Sequence, residues 1–209
     1  MKPITKIAVV DTARPDPETI RRAALLIRQG GVVVFPTLGL YGLGADPLNP
    51  EAVARIFTLK GRDPSKPLLV LIDHPDMMHR IALPVNPMAR RLMERFWPGR
   101  ITFVVQARPD LPPALTAGTG KIGVRQAAHP VAAALVRAVG NPLVGTSANL
   151  TGAGGCATVG ELDPAVVESV DWVLDAGSLS GAPSTVVDVT DDTPVILREG
   201  AVLASVILE

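Results

Sequence analysis

Apolar side chains recur at Ile20, Ala23, Ala24 and Ile27, three and four positions apart, which predicts a helix over 18–29 stopped by Gly30 and Gly31. The run that follows, Val32-Val33-Val34-Phe35, is rich in β-branched residues and ends at Pro36, as a buried strand does. Helical spacing returns at Val53, Ile56 and Phe57 within 50–59, again over 88–96 before Trp97-Pro98-Gly99, and over 130–139 before Gly140. Short apolar runs at 68–72, 101–106, 122–125, 143–145, 172–174, 185–189 and 195–198 predict strands. Strands and helices interleave, and 20 prolines and 19 glycines supply tight connections. The class is α/β, a twisted mixed sheet with flanking helices, and the strand order stays open.

Composition narrows the picture. The chain has 209 residues, 47% apolar and 19% charged, enough for the core of one domain expected over 1–209. Twenty Lys and Arg balance twenty Asp and Glu, so any attraction to a polyanion must come from how the cations are placed. The single cysteine, Cys156, excludes an internal disulfide framework and a multi-cysteine zinc site. No apolar run approaches the roughly 20 residues of a membrane span. The start, MKPITKIAVVDTARPDP, has neither an apolar signal region nor a cleavage site, so a cytoplasmic protein with no membrane partner is expected.

Polar clusters sit where predicted strands end, the positions at which loops carry function on a rigid scaffold. In 36–46, PTLGLYGLGAD, three glycines allow close backbone approach to a ligand, or simply make a turn from strand to helix; no phosphate-loop spacing is present. In 60–67, KGRDPSKP, the cations Lys60, Arg62 and Lys66 fall within seven residues, a density that suits a polyphosphate better than a helix dipole alone. In 145–152, GTSANLTG, Ser147 and Asn149 either bind substrate oxygens or stabilise a turn. Two more strand ends carry Ser184 and Arg198. No nucleophile–base pair and no diagnostic metal spacing appears; His74, His79 and His129 read as loop or surface residues, and Cys156 has no obvious partner. Chemistry here would come from positioning and charge neutralisation, as in adenylyl or phosphoryl transfer.

Seven segments in this order, PTLGLYGLGAD (36–46), KGRDPSKPL (60–68), WPGRITFVV (97–105), IGVRQAAHP (122–130), GTSANLTG (145–152), PSTVVDVT (183–190) and ILREG (196–200), resemble the YrdC/TsaC family of threonylcarbamoyl-AMP synthases. The resemblance implies a YrdC/RibB-like fold with a large basic cavity. It also implies a nucleotidyltransferase that condenses L-threonine with bicarbonate and adenylates the product with ATP, releasing pyrophosphate. Carried over residue by residue, Lys60, Arg62, Ser147 and Asn149 would be catalytic, and Arg62, Lys66, Asn149 and Arg198 would hold ATP. Thr37, Arg125, Ser147 and Ser184 would hold threonine, with Arg125 on its carboxylate, while Lys60 would add charge to the cavity. Mg²⁺ is expected with ATP. The chain ends nine residues after Gly200, so the short form is expected, which passes its product to a separate tRNA threonylcarbamoyl-transferase complex.

The chain departs from the family pattern at several places. Leu38 and Gly39 follow Thr37 where glutamate and threonine are usual, and Leu71 stands for a histidine. Lys121 replaces a threonine that contacts ATP, Ala127 a proline, and Ala157, beside Thr158, a serine. The tail DDTPVILREG (191–200) resembles the YciO branch. An alternative is therefore a paralogue that binds double-stranded RNA or tRNA with weak or no synthase activity, although zero net charge opposes strong non-specific binding of nucleic acid. A third reading, a module of a hydrogenase-maturation protein, lacks zinc-finger cysteines and an extra domain.

Overall fold

A computed structural model of the chain describes residues 6–209, so the first five residues of the start MKPITKIAVVDTARPDP, on which the expectation of no leader partly rests, lie outside it. The elements run in the order β1 (Ile7–Val9), α1 (Pro17–Arg28), β2 (Val33–Pro36), β3 (Tyr41–Gly44), α2 (Pro50–Lys60), β4 (Leu69–Ile72), α3 (Pro87–Phe96) and β5 (Ile101–Gln106). They continue with α4 (Pro113–Thr116), β6 (Lys121–Gln126), α5 (Pro130–Val139), β7 (Leu143–Val144), β8 (Thr146–Ser147) and α6 (Pro164–Ser169). The last are β9 (Trp172–Asp175), β10 (Thr185–Asp188), β11 (Val195–Arg198) and α7 (Ala204–Leu208). No described helix is long and apolar enough to cross a membrane.

The prolines have a use that the sequence reading did not give them. Six helices, α1 to α6, open on proline, where the missing N–H is not needed and the fixed φ already suits a helix. Asp16, Asn49, Asn86 and Asp163 stand immediately before four of these prolines, and their side chains accept hydrogen bonds from the first free N–H groups.

The strands form two mixed sheets instead of one. The five-stranded sheet has the order β1-β9-β2-β3-β8 and the six-stranded sheet the order β11-β10-β5-β6-β4-β7. The run at 143–147 splits between them: β7 pairs antiparallel with β4 in one sheet and β8 pairs antiparallel with β3 in the other. Gly145 is the single residue between β7 and β8, and a Cβ there would lie 2.7 Å from Leu71 Cγ. Only glycine lets the chain step between the sheets so close to that side chain. Helices α1 and α5 pack together over one apolar cluster that includes Phe35, Leu71 and Trp172. A second cluster, centred on Phe103, Val124 and Ile56, fills the space on the other side.

The glycine-rich segment at 36–46 is the β2–β3 hairpin, with Val33 paired to Gly44 and Phe35 to Gly42, and does not lead directly into a helix. Its glycines make room for the Phe35 ring, which lies 2.9 Å from where a Cβ of Gly44 would stand.

Candidate functional site

Between the two sheets lies a cavity of about 560 Å³. Its floor is the six-stranded sheet, which offers Leu69, Val104, Gly123 and Val186 as an apolar surface. Neighbouring β4, β5, β6 and β10 are in register here, with Leu69 opposite Gly123, Gly123 opposite Val104, and Val104 opposite Asp188. The opposite wall comes from the 37–42 hairpin, the 145–149 segment and a strap at 181–184 that leads into β10.

Seven residues singled out from the sequence line this one cavity: Thr37, Arg62, Arg125, Ser147, Asn149, Ser184 and Arg198. Three of them are arginines, and no carboxylate is on the wall. Arg125 is nine-tenths buried on β6, and burial together with the charges of Arg198 and Arg100 pushes its pKa down to about 10, still far above neutrality. Burial also lowers the pKa of Arg62, whose guanidinium grips its own loop through the carbonyls of Lys66 (3.2 Å) and Pro67 (2.9 Å). Arg198 donates to the Ser184 carbonyl at 2.7 Å, and the Ser184 hydroxyl lies 2.9 Å from that of Thr102. Thr37 donates its hydroxyl proton to the Leu40 carbonyl at 2.6 Å, leaving the oxygen free to accept.

Two residues do not sit where expected. Lys66 is exposed on the loop beside the cavity and is not part of its wall. Lys60 adds no charge to the wall either: it is 3% exposed, and its ammonium is spent on the segment that carries the site. Its Nζ donates to the carbonyls of Ser147 (2.5 Å) and Asn149 (2.7 Å) and to Asn149 Oδ1 (3.2 Å). Burial, with the Arg62 charge beside it, pushes the Lys60 pKa down to about 8, while the three oxygens hold the charged form. The Ser147 hydroxyl completes the knot by donating to Asn149 Oδ1 at 2.5 Å.

Several contributors were not singled out as site residues. Arg100, in the WPGR segment, donates to the Leu38 carbonyl (3.1 Å) and to Ser180 Oγ (2.7 Å), tying the hairpin turn to the strap. The turn and strap touch so closely that a Cβ on Gly39 would stand 1.8 Å from the Ala182 carbonyl oxygen. Gly39→Ala must displace backbone, so a stability loss of about 1–3 kcal/mol is expected in chemical denaturation, with weakened ligand binding. Lys121, where a threonine is usual, lies beyond the cavity wall and pairs with Asp188 at 2.7 Å and Thr190 at 2.9 Å. Three other departures, Leu38, Leu71 and Ala127, meet around a small void behind Arg125. His129, read as a surface residue, is 6% exposed: it precedes α5, and its Nδ1 accepts from the Val131 N–H at 3.2 Å.

No group of three or more His, Cys, Asp or Glu side chains is placed to hold a metal among the described residues. What the arrangement can do is neutralise an extended anion between guanidinia, over an apolar floor, with amide and hydroxyl groups at one side.

The Sua5/YciO/YrdC family model, described as "Telomere recombination", matches residues 25–200. The threonylcarbamoyl-AMP synthase of Bacillus subtilis is 38% identical over 206 residues, covering 94% of this chain and 57% of that protein. A structure of P. abyssi Sua5 complexed with L-threonine superposes with a TM-score of 0.90 at 35% identity, over 97% of this chain and 60% of that one. The E. coli YciO structure gives 0.84 at 29% identity, over 95% of this chain and 97% of that one. The chain thus spans little more than half of the B. subtilis protein.

Proposed function

Because the chain belongs to the Sua5/YciO/YrdC family, we propose that it is an L-threonylcarbamoyladenylate synthase, converting L-threonine, bicarbonate and ATP to threonylcarbamoyl-AMP, pyrophosphate and water. The observation that carries this reading is the cavity itself, where Arg62, Arg125 and Arg198 converge with no carboxylate to neutralise them. Guanidinia in that number suit a polyphosphate and a carboxylate held together, because each oxyanion needs several donors at once.

The roles follow from placement. Arg62, Asn149 and Arg198 would bind ATP, with Lys66 reaching in from the exposed loop, while Thr37, Arg125, Ser147 and Ser184 would bind threonine. The threonine amine condenses with bicarbonate, losing water, and gives a carbamate. One carbamate oxygen then attacks the α-phosphorus, the bond to the bridging oxygen of pyrophosphate breaks, and the electron pair leaves with that group. Every step is a transfer between bound substrates, so the enzyme needs no covalent intermediate; it aligns the reactants and offsets the charge that grows on phosphoryl oxygens. Lys60 serves by holding the 147–149 segment. Mg²⁺ accompanying the triphosphate would be held by phosphate oxygens and water, since no carboxylate lines the cavity.

On this reading residues 1–209 act as one domain in the cytoplasm, and the product passes to a tRNA threonylcarbamoyl-transferase complex. The test is pyrophosphate release from ATP in the presence of threonine and bicarbonate, with Asn149→Ala as the control. Wild type is expected to release pyrophosphate only when all three substrates are present, and the variant at least about tenfold more slowly. A wild-type protein that releases none above the variant, yet binds RNA tightly at physiological salt, overturns the reading in favour of an RNA-binding paralogue.

A further inference from the structure

Behind Arg125, away from the main cavity, lies a void of about 10 Å³. Thr37 and Arg125 line both spaces, while His129, at the start of α5, lines the void and not the cavity. All three of these side chains are nine-tenths buried polar groups with hydrogen-bonding capacity to spare. No hydrogen bond ties the Arg125 guanidinium to any described residue, and desolvation with the charges of Arg198 and Arg100 are all that shift its pKa. His129 uses one ring nitrogen only. Because Nδ1 accepts from the Val131 N–H, the neutral ring carries its proton on Nε2, and that N–H has no partner among the described residues.

Arg125 and His129 both line this void and both bring N–H donors, which cannot satisfy each other; an oxygen between them can accept from both. The volume is about that of one water, and a buried water needs two to four polar partners. Such a water would accept from an Arg125 N–H and from His129 Nε2–H with its two lone pairs. It would donate to the Thr37 hydroxyl oxygen, whose own proton is given to Leu40. The remaining wall, including Leu38, Leu71 and Ala127, is apolar and offers no competing side-chain acceptor.

We propose that His129 is a positioning residue for Arg125, acting through one water held between its Nε2–H and the Arg125 guanidinium. The proposal rests on Arg125 as the group that takes the substrate carboxylate. An arginine tethered on its inner side presents its outer N–H pair to the cavity in one orientation, which favours a carboxylate over a diffusely placed anion.

Two variants separate the jobs of the imidazole. His129→Asn keeps an oxygen where Nδ1 caps α5 and removes the donor at Nε2; His129→Gln restores an N–H near the Nε2 position. The expected result is a roughly tenfold weaker threonine affinity in His129→Asn, unchanged ATP affinity, and recovery of most of the loss in His129→Gln. A high-resolution crystal structure of the wild-type protein should show one water bonded to both nitrogens. Direct contact between Arg125 and His129, or unaltered threonine affinity in His129→Asn, overturns the proposal. So does a loss of ATP and threonine affinity together, which marks a general structural role. Should the wild-type protein bind no threonine, the assignment of substrate fails, and the crystal structure still decides whether the water links the two residues.

Discussion

Lys60→Met is expected to lower the rate of pyrophosphate release by about a hundredfold or more while the protein stays folded. Methionine matches the lysine stem in a site that is 3% exposed, so packing is largely kept. What disappears is the cation that holds the Ser147 and Asn149 carbonyls and Asn149 Oδ1. Charged hydrogen bonds of this kind are each worth about 1.5–3 kcal/mol, and losing two of them accounts for the rate. The same group sets a pH signature. With its pKa near 8, Lys60 loses its charge as the pH rises above that value, so wild-type activity should fall on the alkaline side. Stability runs the other way. The folded pKa lies below the ordinary 10.5, so between about 8 and 10.5 the unfolded chain holds more protons, and this group's contribution to stability grows as the pH rises. Opposite slopes for activity and stability over one window identify Lys60, and both should vanish in Lys60→Met. An alkaline fall in activity that survives in the variant belongs to another group.

Arg125→Met should separate function from stability more sharply. Threonine affinity is expected to drop by at least about a hundredfold, because two charged hydrogen bonds to a carboxylate are lost, while ATP binding is retained. Arg125→Lys should recover little of it, since a point charge does not reproduce a planar fork. Yet the methionine variant should melt at a higher temperature than the wild type. The arginine is nine-tenths buried, has no hydrogen-bonding partner among the described residues, and sits where Arg198 and Arg100 repel it. A buried charge under those conditions opposes folding, and an apolar replacement of similar length removes the penalty. Titration calorimetry for both ligands and a thermal melt check the two halves. A variant that binds threonine normally, or melts well below wild type, contradicts this account of the residue.

Much of this was readable along the chain wherever the determining physics is local. The strand at 101–106 and the helix at 130–139 have the limits predicted, because β-branched runs, helical spacing and bounding Pro or Gly all act over a few residues. The β2–β3 hairpin was less visible: β3 reads Tyr41-Gly42-Leu43-Gly44, and glycine signals a turn unless one knows that the Phe35 ring needs the space. Whether a run belongs to one sheet or two depends on partners far away, so the division of 143–147 between sheets had no local sign. The site divides along the same line. Polar and cationic residues in loops and at strand ends were visible one by one, the family resemblance added Arg125 and joined them into a set, and seven of those named line one cavity. Lys60 was recognised but given the wrong task, because its oxygens lie 87 and 89 residues away in sequence. His129 looked like a loop residue because histidine is an uncommon helix cap; its burial follows from α5 packing against α1.

The passage of the chain through Gly145 also shapes what lies beside it. Two layers joined by a single peptide unit cannot separate there by more than a few ångströms. The space between them is therefore a wedge, narrow beside Gly145 and open toward exposed Leu197 and Arg198. A wedge sorts its contents by bulk. On the proposed function the triphosphate would fill the mouth beside Arg198 and close the way out for the smaller reactant, held deeper between the layers, until the mouth clears.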